Sequence, residues 1–217
     1  MHLCLYHAES KHCRRHAVLS TGVSQLRYIC SCYSMLRKRT IHRCFTCKDR
    51  GMLVKAFKVY VRPILQYNSP VWSPSFVKDI LFIESVQRKF TKRIPGMAGL
   101  TYHSRLTRLG LASLEVRRLR SDILLVYKIL FGMVRVNSNE FFTLRNQPHL
   151  RGHKYVISKQ RSFSMRRVNY FSNRVVNLWN NLPLSTTDFN SLHRFDKSVS
   201  NDYLLVYCKL NFTYRPT

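Results

Sequence analysis

Cys44, Phe45, Thr46 and Cys47 form a C-x2-C pair, the half-site from which many zinc centres are built. Two thiolates at that spacing can reach one ion, but a structural zinc needs four converging ligands. Cys30, Cys32 and His42 stand nearby, and Cys4, His12, Cys13 and His16 lie upstream. No second C-x2-C and no H-x3-5-H follows at zinc-finger spacing, and the H-x3-H of His12 and His16 precedes the cysteine pair. Cys44 and Cys47 are therefore weak metal candidates, with free thiols as the alternative. Carboxylate chemistry has little material, with 10 Asp and Glu in 217 residues. No two aspartates are adjacent, and Asp49 and Asp79 stand alone. No G-x-S-x-G elbow appears, no orienting motif accompanies Cys208 and His193, and the 7 glycines form no phosphate loop. No catalytic residue is assigned and no cofactor is expected.

The abundant chemistry is cationic. The chain has 37 Lys and Arg against 10 acids, a net charge of +27. The excess holds in each of 1–50, 51–99, 100–135 and 136–217, so it is no detachable arm and must be displayed on folded elements. With 45% apolar residues the chain can build a core, so wholesale disorder is not expected. A domain so charged seeks a polyanion, nucleic acid before an anionic membrane surface. The candidate residues are Arg88, Lys89, Lys92 and Arg93, then Arg117, Arg118 and Arg120, then Arg151, Lys154, Lys159, Arg161, Arg166 and Arg167. Their contacts would go mainly to phosphates and be insensitive to sequence. Tyr155 and Phe163 interleave with the last group, for stacking on unpaired bases or for burial. His153 is read either as a phosphate contact or as an exposed or capping histidine. Arg118 and Asp122 stand at i, i+4 and are placed to pair. No membrane partner is expected: the longest apolar run, Ile123 to Met133, is broken by Lys128, and residues 1–10 lack the layout of a secretory signal.

The elements that must display these residues are mainly helical. Residues 1–34 have no clear period and read as irregular. Leu53, Ala56, Phe57, Tyr60, Val61, Ile64 and Leu65 keep the spacing of one helix face, with a kink or boundary near Arg62 before Pro63. Asn68-Ser69-Pro70 and Ser73-Pro74 read as an extended turn holding Trp72 at a core edge. A helix from about 75 to 94 buries Ile80, Ile83, Val86, Phe90 and Ile94 and turns its basic residues outward. A short helix at 102–109 closes on Gly110. Ser113 caps a long helix with Glu115 in its first turn, where its charge suits the helix dipole, and with Gly132 at its end. Leu124, Leu125 and Ile129 lie off that helix's stripe and imply a second contact, within the chain or with a partner domain. Residues 145–167 read as extended and basic, 167–181 as a helix, and 191–199 as a weaker one. The expectation is a mainly α, small helical bundle with extended basic connections and a C-terminal helix. It divides into 1–34, a helical region at 35–135, and a basic segment with C-terminal helices at 136–217.

Several of these stretches carry a family likeness. Val61-Arg62-Pro63-Ile64-Leu65-Gln66-Tyr67 with Val71-Trp72-Ser73-Pro74 resembles a motif downstream of the polymerase core of non-LTR retrotransposon reverse transcriptases, in the jockey/CR1-like group. Ile83 to Lys92, Leu106 to Leu119, Arg151-Gly152-His153 and Asn169 to Pro183 resemble later motifs of that group, in order and at similar spacing. The likeness spans about 35–197. It implies the thumb and post-polymerase end of an RNA-directed DNA polymerase, whose palm and metal-binding aspartates would precede it. Those aspartates have no counterpart here, and two-metal phosphoryl transfer needs carboxylates converging on ions ~3.5–4 Å apart. The resemblance thus implies a non-catalytic piece that grips RNA or DNA backbone, as in a template–primer duplex, beside a polymerase domain. It also implies residence inside the cell, with the nucleus as a site of action. The alternatives are a structural remnant without independent activity, and a zinc-containing nucleic-acid-binding or nuclease protein.

Overall fold

The computed structural model describes residues 41, 43, 49–145 and 153–210. The expectations for residues 1–34 and for Cys44, Cys47 and Arg151 lie outside the described residues. Among the described residues the protein is mainly α and has no β-strand; its one antiparallel bridge joins Leu144 to Ile157.

Asp49 caps α1 (Arg50–Ala56) by accepting from the Met52 N–H at 2.8 Å. A π turn follows at Phe57–Val61, where the Arg62 N–H donates to the Phe57 carbonyl, and α2 (Arg62–Gln66) continues beyond it. Pro63 has no N–H to donate, so the ladder loosens one residue before it. Phe57, Val61 and Leu65 stay buried, but the wider turn carries Tyr60 outward to 49% exposure. The expected single face therefore loses Tyr60. The expected extended turn at 68–74 is also corrected. Asn68 takes a left-handed conformation, φ 51°, and starts the short helix α3 (Ser69–Trp72). Trp72 is buried, as expected, and its Nε1–H donates to the Tyr67 carbonyl.

The helix α4 (Val77–Lys92) buries Ile80, Ile83, Val86 and Phe90, and Ile94 beyond its end is buried too. The next helix, α5 (Tyr102–Leu109), ends on left-handed Gly110. Ser113 caps α6 (Leu114–Leu130), accepting from the Val116 N–H. Gly132, φ 67°, closes it: the Met133 N–H reaches Lys128 O and the Gly132 N–H reaches Ile129 O, the two bonds of a Schellman stop. After a single turn, α7 (Ser138–Phe141), the bridge brings 143–145 against 156–158. The helix expected at 167–181 is two, α8 (Met165–Val168) and α9 (Phe171–Asn180), broken at Asn169-Tyr170, and Val168 is exposed. The weaker helix appears as α10 (Leu192–Ser198), and α11 (Asn201–Val206), which periodicity did not indicate, follows.

The centre of the fold is α6, which packs against α3, α4, α9, α10 and α11. From Ile123 to Leu130 the helix is apolar on nearly every side, Lys128 excepted, and such a stretch is satisfied by neighbours all round it. Leu114 belongs to a first apolar cluster with Phe57, Val61, Trp72, Phe90 and Ile94. Val116 onward belongs to a second with Tyr127, Val175, Trp179 and Phe195. Apolar packing thus changes hands at the start of α6. Ile129 is buried in the second cluster and Leu124 and Leu125 pack on it, so the off-stripe residues find their contact within the chain.

Candidate nucleic-acid interface

At 100° per residue, Val77, Leu81, Phe82, Arg88, Lys89, Lys92 and Arg93 fall on one side of α4, and all are exposed. In the first half of that outer face Val77, Leu81 and Phe82 surround the exposed Lys78, and the last turn and a half is basic. The Arg88 guanidinium lies over the Tyr102 ring, 4.9 Å from its centre, which braces it against α5. Among the described residues Lys89, Lys92 and Arg93 make no ion pair. The four cations cover about 8 Å of helix axis.

The arginines of α6 behave otherwise. Arg118 was expected on a basic surface, but only 2% of it is exposed. Glu84, Glu115 and Asp122 surround it electrostatically, while its Nη1 and Nη2 have no hydrogen-bond partner. Burial pushes its pKa down and those carboxylates oppose the shift. The expected Arg118–Asp122 pair is replaced by a longer-range one. Arg174 of α9 donates from Nη2 and Nε to Asp122 at 3.0 and 3.1 Å. Burial raises the Asp122 pKa, against the pull of Arg174 and Arg118. Glu84 accepts from the Tyr102 hydroxyl and the Leu114 N–H; burial raises its pKa as well. Glu115 does more than sit in a dipole: its two oxygens accept from the Lys209 and Leu210 N–H groups and pin the end of the described chain to α6. Arg120 is corrected too. It bonds the Asp196 carboxylate and carbonyl, the Val199 carbonyl and the Asn201 side chain, clamping the α10–α11 junction. Arg117 is half-buried, reaches Gln66 at 3.4 Å and has its pKa lowered by burial and by Arg62 and Arg120. A cavity of about 150 Å³ opens beside this network, lined by Arg118, Asp122, Arg174 and Lys209 among others.

In the basic C-terminal segment, Lys154, Lys159, Arg161 and Arg167 are exposed. The backbone of Arg166 belongs to α8. Tyr155 is half-buried against Phe131 and Phe189, whereas Phe163 is wholly exposed. His153 is neither a phosphate contact nor an exposed cap. It is buried, its Nε2–H donates to the Trp179 carbonyl, and its Nδ1 accepts from the Tyr155 N–H. Protonation would displace that second bond. Burial holds the ring below its ordinary pKa of 6.5. The unfolded chain therefore binds a proton below about pH 6.5 that the folded chain resists. The stabilisation from His153 is full above that pH and is lost as pH falls. Between pH 7.5 and 5.5 the wild-type urea midpoint should drop more than that of His153→Gln; parallel pH profiles would refute this.

Among the described residues no three His, Cys, Asp or Glu side chains are grouped to hold a metal. Asp49 is a helix cap and Asp79 lies in the first turn of α4. Cys208 is a buried thiol, its pKa pushed up to about 12 by burial and by Glu115 and Glu84. No described helix is long and apolar enough to cross a membrane.

No protein-family model matches the chain, and no solved structure matches it. The chain is 24% identical over 102 residues to the uncharacterized protein B0403.1 of Caenorhabditis elegans, a match covering 46% of this chain and 52% of that protein. The chain thus spans about half the length of this relative.

Proposed function

We propose that this chain is a non-catalytic nucleic-acid-binding module that grips a phosphate backbone along the second half of α4. The observation that carries the reading is the outer face of α4, where Arg88, Lys89, Lys92 and Arg93 crowd one exposed surface. Internal use of the acids strengthens it. Glu84, Glu115 and Asp122 are buried, so the surface is more basic than the composition. The resemblance of the α2–α6 and α9 stretches to the thumb and post-polymerase end of non-LTR retrotransposon reverse transcriptases makes a template–primer duplex the ligand of choice. The reading assigns no catalytic step to this chain.

A second role rests on the first half of the same face. Val77, Leu81 and Phe82 are exposed there, 39–48% each. In the proposed reading this apolar end docks a protein, the polymerase domain to which such a thumb belongs, while the basic end meets nucleic acid. The structural-remnant alternative draws on the same residues, but each apolar cluster closes around a fully buried ring of this chain, Phe90 in the first and Trp179 in the second.

The test is the salt dependence of binding to an RNA–DNA hybrid and a DNA duplex of equal length. Each neutralised phosphate contributes roughly −0.9 to the slope of log K against log salt on a B-form duplex. Tight binding at 50 mM salt that weakens at least 100-fold by 200 mM is the expected result. No binding at 50 mM salt would sink the reading.

A further inference from the structure

One stretch of the surface is built for a different ligand geometry. Beyond the bridge, where the Ser158 N–H still donates to the Thr143 carbonyl, residues 159–163 belong to no helix or strand among the described residues. They are nevertheless held in place. Asn180 receives the Ile157 N–H on its Oδ1 and donates from its Nδ2 to the Ile157 carbonyl, at 2.9 and 2.8 Å. Asn177 accepts from the Lys159 ammonium at 3.3 Å. Asn173, itself buried, donates to the Ser162 hydroxyl at 3.3 Å and to the Arg167 carbonyl at 2.8 Å. Asn173, Asn177 and Asn180 stand at i, i+4 and i+7, one row along α9. They form an amide ladder that fastens 157–167 to the helix.

In the fastened segment Ser158 and Ser162 are half-buried, and Lys159, Gln160, Arg161 and Phe163 are exposed. Phe163 is fully exposed, with a relative accessibility of 102%, and Tyr170 is 61% exposed just beyond Arg167. No acidic residue occurs between Glu140 and Asp188. A wholly exposed phenyl ring costs free energy in water, yet here the chain on both sides of it is tied down, through the Ser162 hydroxyl and the Arg167 carbonyl.

We infer that this segment binds single-stranded nucleic acid, with an unpaired base stacked on Phe163 and the flanking phosphates on Lys159, Arg161 and Arg167. The inference deepens the nucleic-acid reading and rests on it, but it adds a second surface with a preference for unpaired bases. Stacking on an aromatic platform beside cations is the general chemistry of sequence-tolerant single-strand binding. Fastening the segment in advance removes much of the ordering cost. A membrane surface fits less well. The backbone at 159–163 lies outside any helix or ladder among the described residues, so a lipid interior would leave its polar groups unsatisfied, and α8 is a single turn, too short for an amphipathic anchor.

The experiment compares the full chain with Phe163→Ala and Phe163→Trp. The probes are a 12-nucleotide oligouridine, a 12-base-pair duplex, and vesicles containing phosphatidylserine. Phe163→Ala should weaken oligouridine binding about 10-fold and leave duplex binding within 2-fold; loss of one stacked base has about that effect. Phe163→Trp should retain oligouridine binding and show indole quenching on addition of the strand. Equal oligouridine affinity in wild type and Phe163→Ala overturns the inference, as does an equal loss for both nucleic acids. Duplex binding by the wild type without oligouridine binding defeats the inference and leaves the wider reading intact. Binding of neither defeats both. Vesicle binding that depends on Phe163 while oligouridine binding does not would assign the surface to lipid instead.

Discussion

Changing Arg88, Lys89, Lys92 and Arg93 together to glutamine should remove most duplex binding while leaving the fold intact. All four are exposed, and Arg88 alone of them is placed over an aromatic ring, that of Tyr102. Each lost phosphate contact lowers the magnitude of the salt slope by about 1, so the slope should flatten by about 3 to 4. Affinity at 100 mM salt should fall on the order of 100-fold. Cations near a helix C-terminus also favour the helix by roughly 0.3–1 kcal/mol, so a small loss in thermal midpoint is expected beside the binding defect. The control changes Lys55, Arg135 and Lys197, which are exposed elsewhere. If the control weakens binding as much as the α4 variant, net charge alone drives association and α4 is no interface.

Asp122→Ala should come close to unfolding the protein. Asp122 is 1% exposed and holds Arg174 through two hydrogen bonds, and Arg118 lies within its field. Truncation leaves two cations without this counter-charge in a largely dry environment. Breaking a buried pair from one side costs about 3–5 kcal/mol, against a total stability of roughly 5–15 kcal/mol for a domain. Arg174 also donates to the carbonyls of Pro70 and Asn169, so its displacement would loosen α3 and the α8–α9 break as well. Asp122→Leu combined with Arg174→Leu should recover a large part of the loss, because no unpaired charge from that pair remains. Urea midpoints for the singles and the double decide the matter. A loss under about 1 kcal/mol for Asp122→Ala would mean that water, not Arg174, solvates the carboxylate.

These two results separate two uses of charge on neighbouring helices. On α4 the cations face outward on a helix with one buried side. On α6 the same residue types are drawn inward, where they meet Glu84, Glu115 and Asp122. The division takes Glu84, Glu115 and Asp122 inside, so the exterior is more cationic than the composition.

The helical course of the chain was legible from local rules. Ser113 before an apolar stripe, Gly110 and Gly132 after one, and Pro63 within one each have a local steric or hydrogen-bonding meaning, and the caps, stops and ladder defect appear where those rules put them. The outward basic face of α4 was legible for the same reason: one side packs, so the period of 3.6 assigns the other to water. That inference fails on α6. The pattern Arg117, Arg118, Leu119, Arg120 carries no mark of how many neighbours the helix has, and with five helices around it α6 has almost no outward side. Arg118 and Arg120 therefore serve the interior and a junction, through partners as far along the chain as Asp196 and Asn201. His153 and the asparagine row of α9 follow the same logic. Their partners lie many residues away or across an element boundary, and local periodicity holds no information about them. Element positions and the α4 face came from neighbours in sequence, whereas the buried charge network and the fastened segment at 157–167 exist only because distant segments meet.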